Sequence, residues 1–328
     1  MNKRAIAIVL ALVAVGVLTS AQRGGPAPPP LHSLPLAQRV VHTDPAKARL
    51  SPSVHVGAGP MMIQSLLEND ATDTNLWFLH RGTIQPKGGI GAHFHNQCEE
   101  MFIILDGEAQ FTIDGHTSLI KGPAGAPVKM GHSHAVYNPG STPVQWMNIN
   151  VTAIKGIYDA FNLDDPRVNV PLEPIPNFMV ARFDRSLLRE VPSLQGGKGA
   201  IQARRILDGS VFLANWGYLD HLLIPPGGSI GPSNTPEIGG FYYVLAGSGT
   251  ITVGSETAPI KAHDAIPLSF NQTKSFANTG SEPLELMAVG VVKDAGRRVL
   301  TVGPNPYAGA GRGAGANAGR GNPPAPTR

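Results

Sequence analysis

The chain has 328 residues, a formal net charge of +3 and a single cysteine, Cys98. A chain of this length is too long for one small core and predicts about two domains. A single cysteine excludes an internal disulfide. Residues 1–21 carry a charge of +2 and residues 293–328 carry +5, so the body between them is near −4. Because the basic character belongs to the ends, we expect no nucleic-acid partner.

The N-terminal stretch "MNKRAIAIVLALVAVGVLTSA" has the order of a secretory signal peptide. Lys3 and Arg4 precede an apolar run from Ala5 to Leu18, and small residues end at Ala21. An uncleaved membrane anchor is the alternative, but the apolar run is short for a spanning helix. We predict cleavage after Ala21, export to the periplasm or the extracellular space, and no membrane association of the mature chain.

Both flanks of the body lack the pattern of a folded domain. The stretch "QRGGPAPPP" begins a Pro/Gly-rich linker and N-terminal arm, which we place at residues 22–53. Residues 293–328 are rich in Gly, Pro and Arg and are predicted to be a disordered tail, because they cannot bury a core. Contact of the tail arginines with an acidic partner is the alternative to a solvated tail.

The body repeats itself with an offset of 140 residues, without a gap from about Asn75 to Met147. The stretch "FIILDGEAQFTIDG" in the first copy matches "YYVLAGSGTITVGS" in the second, and Pro127 pairs with Pro267. The chain therefore contains two copies of one fold.

Each copy is predicted to be all-β. Short runs rich in Ile, Val, Phe and Tyr are broken by Gly, Pro and Asn at intervals of roughly eight to twelve residues, which is typical of a sandwich or barrel. Antiparallel strands of this kind usually close into a jelly roll or barrel. We place the first barrel at residues 54–153 and the second at 206–292. The connecting segment, residues 154–205, has short helices predicted near "GIYDAF" and "FDRSLLREV".

The stretch "HFHNQCEEMFIILDG" of the first copy places two histidines one residue apart and then two glutamates. On a strand, His93 and His95 would point to the same face. Two imidazoles on one face make half a metal site, although a solvated strand with polar ends gives the same pattern.

These residues resemble the cupin family, and two copies in tandem resemble a bicupin with two jelly-roll (double-stranded β-helix) barrels. The first copy carries both cupin motifs, which comprise Gly88, His93, His95, Glu100 and Gly107, followed by Pro127, Gly131, His134 and Asn138. Two spacings depart from the family pattern. Gly88 lies one place closer to His93 than usual, and Gly131 lies two places further from Pro127.

The resemblance implies one metal site in the first barrel, formed by His93, His95, Glu100 and His134. Three imidazoles and a carboxylate suit one divalent transition metal, namely Mn, Fe, Co, Ni, Cu or Zn. Four protein ligands would leave coordination positions open for water, substrate or dioxygen. The sequence does not select the metal.

Three neighbouring residues compete for places in this site. Glu99 also falls within the spacing limits of the family, but the six residues that separate Glu100 from Gly107 favour Glu100. His132 competes with His134, and Asn138 three residues later favours His134. His132 is then either a group that supports the ligands or a surface histidine, and Cys98 is interpreted as a packed neighbour.

The second copy lacks every one of these ligands. An offset of 140 from the four candidates gives Ser233, Thr235, Gly240 and Lys274, which cannot rebuild the site. We therefore predict that the second barrel is structural, with Lys274 paired to a carboxylate such as Glu237 or exposed to water. The alternative is that the lysine makes its pocket a site for an anion or carboxylate.

Other polar residues are interpreted as packing or surface groups. The histidines without a partner at ligand spacing are expected to be solvated or hydrogen-bonded in loops; they are His32, His42, His55, His80, His116 and His221. Side chains on or beside predicted strands of the first barrel could line the pocket or pack in the core; they are Arg81, Gln110, Tyr137, Trp146 and Asn148.

Among cupins, the arrangement most resembles secreted quercetin dioxygenases, in which only the first barrel holds a metal. The resemblance implies an exported metal-dependent dioxygenase for a small enediol or phenol, with Glu100 as the catalytic base and dioxygen as second substrate. A non-oxidative isomerase, lyase or decarboxylase is the alternative, as is a small-ligand or sugar-binding protein without catalysis. The sequence leaves the oligomeric state open, and a homo-oligomer is compatible with it.

Overall fold

The computed structural model describes residues 29–309. The predicted signal peptide, residues 1–21, and the end of the predicted tail lie outside this part of the chain. Within residues 29–309, no helix is long and apolar enough to cross a membrane. The helices are short, and most of the ordered backbone belongs to antiparallel strands, as predicted for an all-β protein.

The described part of the N-terminal arm, from residue 29 onward, reaches the second barrel. Helix α1 is Leu36–Arg39 and strand β1 is Val41–His42. Strand β1 pairs antiparallel with the strand Asp264–Leu268, so Val41 lies opposite Ala265. The predicted linker is structured in this part because β1 completes the edge of a sheet.

The first barrel consists of two antiparallel sheets. Its strands are β2 (Arg49–Ser51), β3 (Met61–Leu67), β4 (Leu76–Ile84), β5 (Gly89–Phe94), β6 (Cys98–Ile104), β7 (Glu108–Ile113), β8 (His116–Lys121), β9 (Ala124–Val128), β10 (His134–Tyr137) and β11 (Val144–Thr152). One sheet has the order β9-β6-β11-β4-β3-β2, and the other has the order β5-β10-β7-β8. Strands β5 to β11 pass repeatedly from one sheet to the other, which produces the predicted jelly roll.

The connecting segment adds an edge strand to each of these sheets. Strand β12 (Phe161–Asn162) pairs with β5, and β13 (Ala181–Arg182) pairs with β9. The stretch "GIYDAF" forms no helix, and "FDRSLLREV" contains only a 3-10 turn at Arg185–Leu187. The predicted helices fail because this segment runs extended, first along the first barrel and then into β14 (Arg189–Pro192) of the second. Five further 3-10 turns cover Leu31–Ser33, Pro45–Lys47, Leu194–Gly196, Gly209–Val211 and Ala295–Arg297.

The second barrel repeats this plan. Its strands are β14 (Arg189–Pro192), β15 (Ala200–Asp208), β16 (Trp216–Ile224), β17 (Ser229–Ser233), β18 (Ile238–Ala246), β19 (Ser248–Val253), β20 (Glu256–Lys261), β21 (Asp264–Leu268), β22 (Lys274–Ala277) and β23 (Leu284–Val292). The sheets have the orders β1-β21-β18-β23-β16-β15-β14 and β17-β22-β19-β20. The barrel therefore includes β14 and β15, which begin before the predicted boundary at residue 206.

The larger sheets of the two barrels pack against each other. The buried cluster between them contains Met101 and Ile103 from β6 together with Phe241 and Tyr243 from β18. Each of these side chains is at most 1% exposed, and burial of such a side chain is worth roughly 1.5–3 kcal/mol. This shared core fixes the two barrels to one another.

The chain after the last strand returns to the second barrel. Helix α2 is Arg298–Val302, and Tyr307 further on is only 8% exposed. The Tyr307 hydroxyl donates a hydrogen bond to the Asp220 carboxylate at 3.0 Å. The described part of the predicted tail, residues 293–309, is therefore folded onto the second barrel, because its aromatic residue has a buried partner.

Candidate metal centre

Three histidines and one glutamate converge inside the first barrel. His93 lies on β5 and His134 begins β10, and the two residues are opposite each other in the paired strands. His95 directly follows β5, while Glu100 comes from β6 in the other sheet. The sheets thus place three imidazoles across from one carboxylate.

The donor atoms of these four residues lie within 4.8 Å of one another, and the cluster could hold a metal ion. Glu100 Oε2 is 3.2 Å from His134 Nε2 and 3.9 Å from His93 Nε2, while Glu100 Oε1 is 3.6 Å from His95 Nε2. None of the four residues is more than 2% exposed. Polar groups buried this deeply need partners, and a cation at their centre would provide one.

The hydrogen bonds of two histidines support this interpretation. His93 Nδ1 lies 2.8 Å from the Gly91 carbonyl oxygen, and His95 Nδ1 contacts the Asp159 carbonyl oxygen. A carbonyl oxygen only accepts, so both Nδ1 atoms carry the proton and both Nε2 atoms keep a lone pair in the neutral ring. The Nε2 atoms of His93 and His95 are buried without a hydrogen-bond partner. Histidine ligands of metals are commonly held in this way.

Two asparagines of β11 hold the carboxylate. Asn150 lies opposite Glu100 in the strand pair and donates to its Oε1 at 2.8 Å. Asn148 donates to Oε2 at 3.3 Å. Asn150 also lies 3.1 Å from Cys98 Sγ, which packs beside the site with no exposed surface. These contacts fix the Glu100 side chain in one orientation.

The electrostatics of the cluster are strongly coupled. Burial and the neighbouring His134 imidazole lower the pKa of His93 to about 2. Burial alone would also lower the pKa of His95, but the Glu100 carboxylate and Cys98 together outweigh it and raise that pKa to about 11, so this ring is protonated unless a metal takes its Nε2 lone pair. Burial would raise the pKa of Glu100, yet His95 and His134 hold it well below its ordinary value. A negative carboxylate therefore faces the imidazole nitrogens.

The competing residues lie elsewhere. Glu99 points out of the barrel, where its carboxylate accepts hydrogen bonds from the backbone N–H groups of Leu213 and Ala214 at 2.8–3.0 Å. His132 lies at the surface with its Nδ1 2.6 Å from Asp114. The structure thus groups Glu100 and His134, and neither Glu99 nor His132, with the histidine pair.

A cavity of about 360 Å³ opens onto the cluster. Its aromatic wall includes Phe78, Phe102, Trp146 and Tyr158. Of the side chains that the sequence suggested for the pocket, Trp146 and Asn148 line this cavity. Arg81 lies elsewhere and donates to the Tyr243 hydroxyl at 3.2 Å across the interface between the barrels. Gln110 and Tyr137 are buried outside the lining.

Two residues of the site carry no motif in the sequence. His55 stacks on His93 with a ring separation of 3.8 Å, and its Nδ1 lies 2.7 Å from Asn162 Oδ1. Tyr158 comes from the connecting segment, and burial raises its pKa. The interpretation of His55 as an ordinary loop histidine is therefore incomplete, because the turn between β2 and β3 places its ring over the site. Four histidines expected in loops lie on strands instead: His42 on β1, His80 on β4, His116 on β8 and His221 on β16, where His221 is fully buried.

The second barrel lacks a matching cluster. Ser233 and Lys274 face each other in its strand pair, as His93 and His134 do in the first barrel. The predicted pairing of Lys274 with Glu237 is wrong, because Glu237 lies 3.7 Å from Arg297 at the surface. No carboxylate among residues 29–309 forms an ion pair with this lysine.

The comparison with protein families finds the cupin domain twice, at residues 80–150 and 220–290. The two matches are offset by the same 140 residues as the internal repeat. The chain is a bicupin. Both matches lie within the two barrels of the structure.

The bicupin also resembles individual proteins. It is 28% identical over 111 residues to an oxalate-binding protein of Thermotoga maritima, which covers 34% of this chain and 92% of that protein. Its fold resembles that of an oxalate decarboxylase from Lactobacillus farciminis with a TM-score of 0.55 and 14% identity, covering 77% of this chain and 86% of the other. For a salicylate 1,2-dioxygenase from Pseudoaminobacter salicylatoxidans, the TM-score is 0.57 with 12% identity, covering 73% and 76%. Identities this low in the two structures show the fold alone.

Proposed function

We propose that this bicupin is a metal-dependent enzyme that oxidises a small phenol or enediol with dioxygen. The observation that carries the proposal is the pairing of the four-residue cluster with an aromatic cavity. The described lining of that cavity contains no Lys or Arg. A flat substrate with an ionisable hydroxyl fits such a pocket better than a strongly anionic one does.

The donor set suits one divalent ion of the series Mn, Fe, Co, Ni, Cu or Zn, held by His93, His95, Glu100 and His134. The unpartnered Nε2 atoms and the fixed Nδ1 protons of His93 and His95 support this assignment. When bound, the ion supplies a Lewis acid that stabilises an ionised substrate oxygen.

Glu100 is the group that can take a proton from the substrate. Its side chain lines the cavity, and its low pKa keeps it ionised. A carboxylate with a low pKa is a weak base, so the transfer depends on a substrate hydroxyl whose ionised oxygen the bound ion would stabilise. Asn148 and Asn150 hold both carboxylate oxygens, so the carboxylate keeps its orientation while the proton is transferred. Removal of a hydroxyl proton leaves an electron-rich enolate or phenolate, with which dioxygen reacts.

The aromatic wall orients the substrate and limits access of water. Phe102 and Trp146 come from the barrel, and Tyr158 closes the cavity from the connecting segment. Tyr158 is itself held by stacking on Trp77, with a ring separation of 5.6 Å. Planar rings packed in this way favour a planar substrate.

A non-oxidative reaction on a carboxylate, such as decarboxylation, is the second candidate. The sequence relative that favours it is the oxalate-binding protein of Thermotoga maritima, matched over nearly its whole length. The divalent ion would be the one cationic partner of a small dicarboxylate there, because the described lining has no Lys or Arg, and the aromatic wall suits a planar ring better than two carboxylates. The first candidate therefore explains the cavity better.

Oxygen uptake by the metal-loaded chain tests the proposal. Catechols, flavonols and enediols are supplied one at a time, with oxalate in parallel, and oxygen consumption is measured with an electrode. We expect uptake with a phenol or enediol, loss of uptake in Glu100→Gln, and retention in the surface control His132→Ala. Formation of formate or carbon dioxide from oxalate without oxygen uptake would support decarboxylation. Tight ligand binding without any turnover would make the bicupin a binding protein.

A further inference from the structure

The second barrel contains a cavity of about 200 Å³ where the first barrel has its metal cluster. Ser233, Thr235 and Lys274 line it. They occupy the repeat positions of the three histidines in the first barrel. The cavity is therefore the counterpart of the candidate metal centre, with different chemistry.

Lys274 brings an unbalanced positive charge into this cavity. It begins β22 and lies opposite Ser233 in the strand pair, and its residue is only partly exposed. No ion pair among residues 29–309 includes it, and burial lowers its pKa. A partly buried ammonium without an anionic partner loses part of its hydration, and an anion in the cavity would compensate for that loss.

The other charges of the cavity already balance each other. Arg205 donates to both carboxylate oxygens of Asp220, at 2.8 and 3.2 Å, and Tyr307 donates to the same carboxylate. The Arg205 guanidinium also lies 4.5 Å from the centre of the Tyr218 ring. Since the charges of Arg205 and Asp220 cancel, the described lining has a net charge of +1, which comes from Lys274.

The rest of the lining combines apolar and hydroxyl groups. Leu222, Ile230 and Ile238 supply an apolar surface, and Tyr242 adds a phenol. The cavity has roughly the volume of seven water molecules, at about 30 Å³ each. An inorganic anion would leave the apolar surface unused, whereas a small organic anion covers it.

We propose that this cavity binds a small monocarboxylate. Its carboxylate is held by the Lys274 ammonium and the hydroxyls of Ser233 and Thr235, and its organic part packs against Leu222 and Ile238. The site lies in the second barrel and does not depend on the activity proposed for the first. It gives the barrel without metal ligands a binding role of its own.

Calorimetric titration with benzoate tests the proposal, with benzamide as the neutral analogue of the same shape. Because a metal can also bind carboxylates, the full chain is titrated both as the metal-loaded protein and as His93→Ala with His95→Ala. We expect benzoate to bind in both forms, benzamide to bind at least tenfold more weakly, and Lys274→Met to lose benzoate binding. Lys261→Met, on an exposed lysine of the same barrel, is the matched control and should bind as the unaltered chain does.

Binding that disappears with the histidine pair and survives Lys274→Met would place the carboxylate at the first barrel and overturn the proposal. Equal affinity for benzoate and benzamide would also overturn it. A second measurement needs no substitution: reductive methylation of the unaltered chain, followed by mass spectrometry of the peptide that contains Lys274. Benzoate should slow labelling of Lys274 severalfold while labelling of Lys261 is unchanged, and an equal rate with and without benzoate would contradict the assignment.

Discussion

Glu99 and Glu100 are adjacent on β6, yet their carboxylates serve different barrels. Glu100 Oε2 lies 3.2 Å from His134 Nε2 inside the first barrel. Glu99 accepts backbone hydrogen bonds from Leu213 and Ala214, which lead into the second barrel. The alternation of a strand separates the two functions: one carboxylate belongs to the candidate site and the other joins the two barrels.

Replacement of each glutamate by glutamine should therefore affect a different property of the protein. Glu100→Gln removes a charged donor, so we expect metal affinity to fall by more than ~100-fold, beyond the usual effect of a residue that only supports a ligand. Glu99→Gln should leave metal content unchanged and lower the free energy of unfolding by about 2 kcal/mol, because its NH2 group would replace an acceptor oxygen that faces buried backbone N–H donors. Metal titration and urea denaturation measure the two effects. Equal losses of metal in both variants would show that the strand faces are misassigned.

Metal stoichiometry should be one divalent ion per chain. The first barrel contains the full donor set, and the matched positions of the second are Ser233, Thr235, Gly240 and Lys274. Elemental analysis of the purified chain measures the ratio, and His93→Ala combined with His95→Ala should reduce it to background. A ratio near two, or one that the double substitution leaves unchanged, would contradict the assignment.

Lys274 should make stability depend on pH. Burial lowers its pKa in the folded chain, so between that pKa and its ordinary value of about 10.4 the unfolded chain binds more protons. The free energy of unfolding therefore rises with pH through this window. Lys274→Met removes the effect, and we expect the variant to be more stable than the unaltered chain by about 1 kcal/mol at pH 7, with the difference shrinking toward pH 10. Urea midpoints at both pH values, with Lys261→Met as control, test this; a difference that stays constant with pH would refute it.

Export is a prediction from residues 1–21 alone. Signal cleavage should leave a mature chain that begins near Gln22 and is recovered without detergent. N-terminal sequencing of the protein from the periplasmic or secreted fraction checks the cleavage point. A chain that still begins at Met1 and sediments with membranes would contradict the prediction.

The internal repeat and the two-residue period of the strands predicted most of the fold and the central cluster. Alternation along β6 predicts that Phe102 and Ile104 share the face of Glu100, and both lie in the interior core of the first barrel. The same alternation places Met101 on the outer face with Glu99, and Met101 is buried there against the second barrel. The two-residue period shows which side chains share a face of a strand. It does not show whether that face meets solvent or packs against a second sheet.

Residues that reach the site from outside the repeat were not predictable in this way. His55 lies in a turn before the repeated region. Its own φ is 49°, in the left-handed region, and its ring stacks on His93. Tyr158 comes from an extended segment whose sequence indicated a short helix. The turn around His55 has a structural counterpart at Gln195, which has a φ of 54° and lines the cavity of the second barrel. It lies outside the stretch in which the sequence repeat is visible, so the internal comparison gave no signal for it.

The pairing of β1 with β21 also orders events during synthesis and folding. Val41 is synthesised early, but its partner Ala265 follows more than two hundred residues later in the chain. Contacts between such distant residues form slowly because a long loop must close first. The first barrel can assemble its cluster while the second is still being made, whereas the second barrel cannot complete its larger sheet without the beginning of the chain. A fragment that starts after residue 153 would therefore lack an edge strand, and that unpaired edge would expose it to aggregation.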